Sequence, residues 1–210
     1  MNYHKYFSDT RRLLAFVLEI IHSHIIPHRV VAEVWARCNN IKEPRMYEPH
    51  FLRIMDTLTK FQEVLDRFIR LMIHYDKCVF EEKVVNIKAE MATIYRLAED
   101  AGIYFGSTAY WTHTDVLPMT SKDHYVPENE LSYGKLIQLL TITWKSLLNA
   151  FDISDQDDPP GYKYLGICKC GDYYVKVRSS QLFCSKSCAQ NERYQRYKNK
   201  KKGKKQWKNQ

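Results

Sequence analysis

Glycine and proline are sparse, with seven of each in 210 residues, which excludes collagen-like and linker-like composition. No apolar run is long enough to cross a bilayer, which takes about 20 residues. The best candidate, residues 13–26, is interrupted by Glu19, His22 and His24 and stops before Pro27, and no small-residue cleavage site follows it. A cytoplasmic protein without a membrane partner is therefore expected. No Walker loop, dinucleotide fingerprint or metalloprotease motif is present. Histidine disappears after His124, and after residue 160 the only acids are Asp172 and Glu192.

What is present is an apolar fraction of 45%, enough to exclude a wholly disordered chain. The length suits one full domain and a small second module. The net charge of +8 is unevenly spread. Residues 161–210 hold 14 Lys/Arg against two acids and carry +12, so residues 1–160 carry −4. A mildly acidic body bearing a strongly basic end points to a polyanionic partner, nucleic acid ahead of an anionic membrane surface.

The first 151 residues read as a helical domain. Leu13, Phe16, Val17, Ile20 and Ile21 mark a first helix capped by Ser8 or Asp9. Pro27 breaks or kinks it, and Val30, Val31, Val34 and Trp35 continue on a shorter helix to about Cys38. Ile54, Leu58, Phe61, Leu65, Phe68 and Met72 form a heptad-like seam entered through Pro49. A second seam runs Val84, Ile87, Met91, Ile94 and Ala98 towards a C-cap at Gly102. An antiparallel hairpin or one long helix accommodates both. Residues 103–127 lose periodicity and are rich in aromatics and His, as a hairpin or a long ordered loop that is either functional or a cover for the helices. A last body helix spans 129–151, with Leu136, Leu139, Leu140, Trp144, Leu147 and Leu148 on one face. The acidic stretch 152–161, closing on Pro159-Pro160-Gly161, reads as a linker.

Six cysteines are present. Cys38 and Cys78 sit in apolar helical patterns and read as core residues. Cys168, Cys170, Cys184 and Cys188 crowd into 21 residues, a pattern of metal ligands rather than disulfides in a cytosolic chain. Four thiolates close the tetrahedral shell of one structural Zn2+ per chain and leave no position for a catalytic water. The metal would also staple a module too small to fold alone. The spacing predicts a strand over residues 173–178, a turn at Ser179-Ser180, a return strand over 181–183, then a helix capped by Ser185. A knuckle, hairpin and helix in that order make a treble-clef zinc finger over residues 162–198. The fold class expected is thus mainly α, with a disordered basic tail over 199–210.

Phe183-Cys184-Ser185, Cys188 and the run Asn191-Glu192-Arg193-Tyr194-Gln195-Arg196-Tyr197, placed behind a helical domain, resemble the bacterial CGNR zinc-finger proteins. The chain departs from that pattern in its Cys spacing and in Ala189-Gln190-Asn191 after the fourth cysteine. The resemblance implies a transcription regulator that binds DNA through the finger. The Phe-Cys-Ser-Lys-Ser-Cys step also resembles MYND-type protein-binding fingers.

From Cys188 a helix is expected to about Lys200, with Arg193, Arg196, Tyr197 and Lys200 at steps of three and four. Arg reaches phosphate or guanine and Tyr stacks on bases. Lys176, Arg178, Tyr194 and Lys198 extend this candidate nucleic-acid surface, and Lys201, Lys202, Lys204 and Lys205 add phosphate contacts without sequence preference. Three readings follow. The first is a nucleic-acid-binding protein, DNA ahead of RNA, whose body dimerises, senses a ligand or holds a partner. The second is a protein-interaction adaptor with a MYND-like finger. The third is an enzyme using His22, His24, His28 or His113 with Asp115 in the body, although His22 and His24, two apart, do not share a helical face.

Overall fold

A computed structural model describes residues 6–23, 27–75, 81–103, 127–151 and 160–206. The described chain is mainly helical. In chain order it forms α1 (Thr10–His22), α2 (Pro27–Asn39), β1 (Arg45–Met46), a 3-10 turn (Glu48–His50), α3 (Phe51–Tyr75) and α4 (Glu81–Asp100). Then follow β2 (Glu130–Leu131), α5 (Tyr133–Ala150), α6 (Pro160–Tyr164), β3 (Leu165–Ile167), β4 (Tyr173–Val175) and α7 (Lys186–Gln206).

Helix α1 is buried on most sides, through Leu13, Leu14, Phe16, Val17, Leu18, Ile20 and Ile21, because α2, α3, α5 and α6 all pack on it. Asp9 caps its start, its carboxylate accepting from the Arg11 and Arg12 backbone N–H groups at 3.0 and 3.4 Å. At the other end the Gln62 amide donates to the carbonyls of Ile20 and Ile21 at 3.0 and 2.9 Å. A side chain of α3 thus meets the terminal Ile21 carbonyl of α1 and adds a second donor to that of Ile20, which also accepts from Ser23 N–H at 3.2 Å. Pro27 is the first residue of α2, where its missing N–H costs nothing.

The α3 seam is fully internal: Ile54, Leu58, Phe61, Leu65 and Phe68 are buried. Helices α3 and α4 are separate and pair as a hairpin through Ile94 and Ala98, so the single-long-helix alternative falls away. The α4 terminus is a Schellman motif. Ile103 N–H donates to Ala98 O and Gly102 N–H to Glu99 O, both at 2.8 Å, with Gly102 at φ +80°. Trp35, Trp144, Phe61 and Phe68 are the largest fully buried side chains. Burying each stabilises the fold by roughly 1.5–3 kcal/mol.

Helix α5 begins at Tyr133, four residues later than its periodicity predicts, because Glu130 and Leu131 pair in parallel with Arg45 and Met46. Ser132 caps it, and Lys135 donates to the carbonyls of Pro127 and Glu130 at 3.2 and 2.8 Å. Cys78, the aromatic segment 104–126 and the linker residues 152–159 lie outside the described residues. Leu165 belongs to the same buried core as the helices, and Tyr162, Tyr164, Tyr173 and Val175 pack against it. The base of the C-terminal module therefore rests on the helical body.

Candidate metal centre and basic helix

The four clustered cysteines converge. Their sulfurs all lie within 4.8 Å of one another, with Cys170 to Cys184 at 3.6 Å and Cys184 to Cys188 at 3.4 Å. A tetrahedral shell with metal–sulfur bonds of about 2.3 Å has sulfur–sulfur edges of about 3.8 Å. A disulfide needs about 2.05 Å. The spacing fits ligands around one ion, and the four cysteines could hold a metal.

Local structure explains the convergence. Cys168 and Cys170 sit in the turn of an antiparallel hairpin in which Leu165, Gly166 and Ile167 face Val175, Tyr174 and Tyr173. The turn closes through Cys168 N–H to Asp172 O and Gly171 N–H to Cys168 O, both 2.9 Å, and Gly171 at φ +97° permits the reversal. The hairpin expected over residues 173–183 is thus corrected. Residues 173–175 pair upstream with 165–167, and no strand forms over 181–183. The Gln181 side chain takes the place of a return strand: its carbonyl accepts from Val177 N–H at 2.9 Å and its amide donates to Phe183 O at 2.9 Å. Tyr174 hydroxyl donates to Gln181 O at 2.7 Å and pins the same loop.

The second pair stands at the start of α7. Ser185 caps that helix, its hydroxyl accepting from Cys188 N–H at 3.2 Å. Cys184 precedes the helix and Cys188 lies in its first turn.

The thiols are electrostatically unequal. Backbone N–H groups of Cys170 and Cys184 aim at the Cys168 sulfur and draw its pKa down to about 6. For Cys170, the Asp172 N–H favours the thiolate, but the neighbouring Cys168 and Cys184 sulfurs and the Asp172 carboxylate outweigh it and push the pKa up. Cys184 is raised, first by the Cys188 thiol. Crowded thiols share protons among themselves, and a divalent cation supplies the positive charge that lets all four ionise.

A further link has only a faint signal in the spacing. Lys169, between Cys168 and Cys170, pairs with Glu192 on α7, which also accepts from Arg196 Nε at 2.9 Å. Both cations hold the Glu192 carboxyl below its ordinary range. The i,i+4 step from Cys188 to Glu192 was the available signal.

Lys176 is half-buried at the end of the hairpin, with its N–H bonded to Tyr164 O at 2.6 Å. Arg178 is exposed in the following loop. Arg193, Tyr194, Arg196, Tyr197, Lys198 and Lys200 are all exposed on α7. The expected tail is corrected too: the helix runs on through Lys201, Lys202, Lys204 and Lys205 to Gln206, past the expected end near Lys200. Lysine is a good helix former, and cations in a last turn complement the helix dipole. Gly203 is tolerated at about 1 kcal/mol relative to alanine.

Of the body histidines, His22 is exposed and His28 half-buried, with its ring edge on Phe51. His24, His113 and Asp115 lie outside the described residues. Cys38 is buried near the end of α2, and burial raises its pKa to about 11. Among the described residues, no helix is long and apolar enough to cross a membrane. No protein-family model, no curated protein and no solved structure matches this chain.

Proposed function

We propose that this chain is a nucleic-acid-binding protein, DNA ahead of RNA, in which a structural zinc ion bound by Cys168, Cys170, Cys184 and Cys188 carries a basic recognition helix. One observation carries the reading. The helix that begins at the four-thiol cluster leaves every residue from Arg193 to Lys200 exposed, and from Arg193 onward it bears no acid. Such a helix buries too little to be explained by packing, whereas phosphates supply the counter-charge it lacks.

Zinc fits the donor set, since soft thiolates at these spacings select it and four of them close its shell. When bound, the ion supplies a fixed crosslink between the knuckle and α7 and no reactive water. The residues then divide their work. The hairpin, through Leu165, and α6, through Tyr162 and Tyr164, anchor the module on the body, and Lys169 and Glu192 orient α7 against the knuckle. Arg and Lys on α7 meet phosphates. A treble-clef description suits the order of knuckle and ligand-bearing helix, and transcription regulation is the use that the CGNR resemblance suggests.

The test is metal analysis followed by binding of the zinc-loaded chain to a random-sequence nucleic-acid pool. One zinc per chain is expected. For about five phosphates contacted, log affinity should fall against log salt with a slope of roughly −4 to −5. Absence of zinc, or binding that is flat in salt, would overturn the reading. A protein-interaction adaptor is favoured instead by exposed apolar side chains on the same module: Ile167, Val177 and Leu182. A partner retained after nuclease treatment and lost in Cys184→Ser would establish that second reading.

A further inference from the structure

We infer that α7 reads double-stranded DNA from the major groove with the face turned away from the metal centre, and that Gln190 and Arg193 are the specificity-determining residues. The inference rests on the nucleic-acid reading above and adds its substrate class and its reading face.

The helix has two distinct sides. Cys188 and Glu192, one turn apart, face the knuckle, since Cys188 lies 3.4 Å from the Cys184 sulfur and Glu192 pairs with Lys169. At 100° per residue, the opposite side holds Lys186, Gln190, Arg193, Tyr194 and Tyr197, in steps of three and four. All five are exposed, so this face meets solvent from Lys186 to Tyr197.

The two arginines are not equivalent. Arg196 is held by Glu192 on the flank nearest the metal centre. Arg193 makes no ion pair among the described residues. Its guanidinium is available for the bidentate contact that arginine makes to guanine O6 and N7. Gln190, one turn earlier on the same face, has the amide that pairs with adenine N6 and N7. Tyr194, Lys198 and Lys200 lie to either side, where groove walls place phosphates.

Dimensions select the duplex. An α-helix with side chains is about 10–12 Å across and the B-DNA major groove about 12 Å wide. The deep, narrow major groove of A-form RNA does not admit it. The charges on α7 from Arg193 to Lys205 are all positive, as suits a helix with phosphate walls on both sides.

The experiment is selection from a randomised duplex DNA pool with the full zinc-loaded chain, repeated with Arg193→Lys, Gln190→Ala and Arg196→Ala. The wild-type chain should recover a motif containing guanine and a neighbouring adenine. Arg193→Lys keeps the charge and should leave the salt slope unchanged, while discrimination at the guanine falls on the order of ten- to a hundred-fold. Gln190→Ala should relax the adenine position alone. Arg196→Ala should weaken all duplexes alike and leave the motif intact. All three side chains are exposed, and zinc content confirms that each variant is folded. Salt-dependent binding with no recovered motif overturns this inference and leaves the nucleic-acid reading standing. So does an unchanged motif in Arg193→Lys, or tighter binding to RNA or single strands. No binding to any nucleic acid overturns both.

Discussion

Lys169 and Glu192 tie the two halves of the cysteine cluster together. The lysine stands between Cys168 and Cys170 on the knuckle, and the carboxylate lies one turn beyond Cys188 on α7. Their ion pair, shared with Arg196, fixes how the helix leaves the knuckle. It also places the one acid of α7 where it shields Arg196 and leaves Arg193 uncovered.

Neutralising that acid should strengthen the basic helix. Glu192→Gln frees Arg196 and removes a negative charge, so nucleic-acid affinity should rise severalfold at low salt, with a salt slope steeper by about one. Fluorescence anisotropy at a series of salt concentrations checks both. Glu192 is held below the ordinary carboxylate range, so its tether is present above that range and is lost as pH falls through the lowered pKa.

Metal removal should unravel the module more than the body. Chelation leaves the knuckle with only short hairpin pairing and leaves α7 without packing, so a large share of its 21-residue helical signal should disappear. The helices around Trp35, Trp144 and Phe68 should persist with a lower Tm, because Leu165 and Tyr162 contribute to their core. Circular dichroism during chelator titration separates the two, and Cys184→Ser should reproduce the chelated state.

Cys38 should be chemically silent in the folded protein. Burial raises its pKa to about 11, so native-state alkylation at pH 8 should spare it while the four clustered thiols react once the metal is removed. The folded state holds this proton more tightly than the unfolded chain, so its contribution is present below pH ~9 and is lost as pH rises towards about 11. Denaturation curves taken across that range should show the wild type losing stability relative to Cys38→Ala as pH rises.

Gly161 should not tolerate alanine. A Cβ there would stand 2.6 Å from Ala150 O and 2.7 Å from Phe151 Cε1, and Phe151 is itself held edge-on by Phe68 and Tyr162. Overpacking of this kind costs about 1–3 kcal/mol. The loss should appear as a lowered denaturation midpoint, with the α6 turn released from the body.

Much of the body was legible because one period dominates it. The α3 seam is buried as its spacing predicts, the α5 face is buried except for the half-buried Leu148, and Gly102 ends α4 because a Schellman turn needs a residue at positive φ. Two-residue strands have no period to read, so spacing does not reveal the parallel pairing of 45–46 with 130–131 and puts the start of α5 four residues too early. The hairpin failed for a related reason. Residues 173–178 and 181–183 look like paired strands, but the knuckle turn at Cys168–Gly171 offers residues 165–167 as the nearer partner, and Gln181 satisfies the backbone that a second strand would have met.

The sequence by itself determined the chemistry: four thiols within 21 residues, a helix beyond them and a charge of +12 after residue 160. Those are properties of composition and local spacing, which tertiary packing does not alter. Only the tertiary structure decided how they are arranged. It brought the four sulfurs within 4.8 Å of one another, seated the hairpin on the helical core and turned Glu192 towards Lys169. Contacts between residues far apart in the chain depend on which way each element faces, and that is settled by packing rather than by order along the chain.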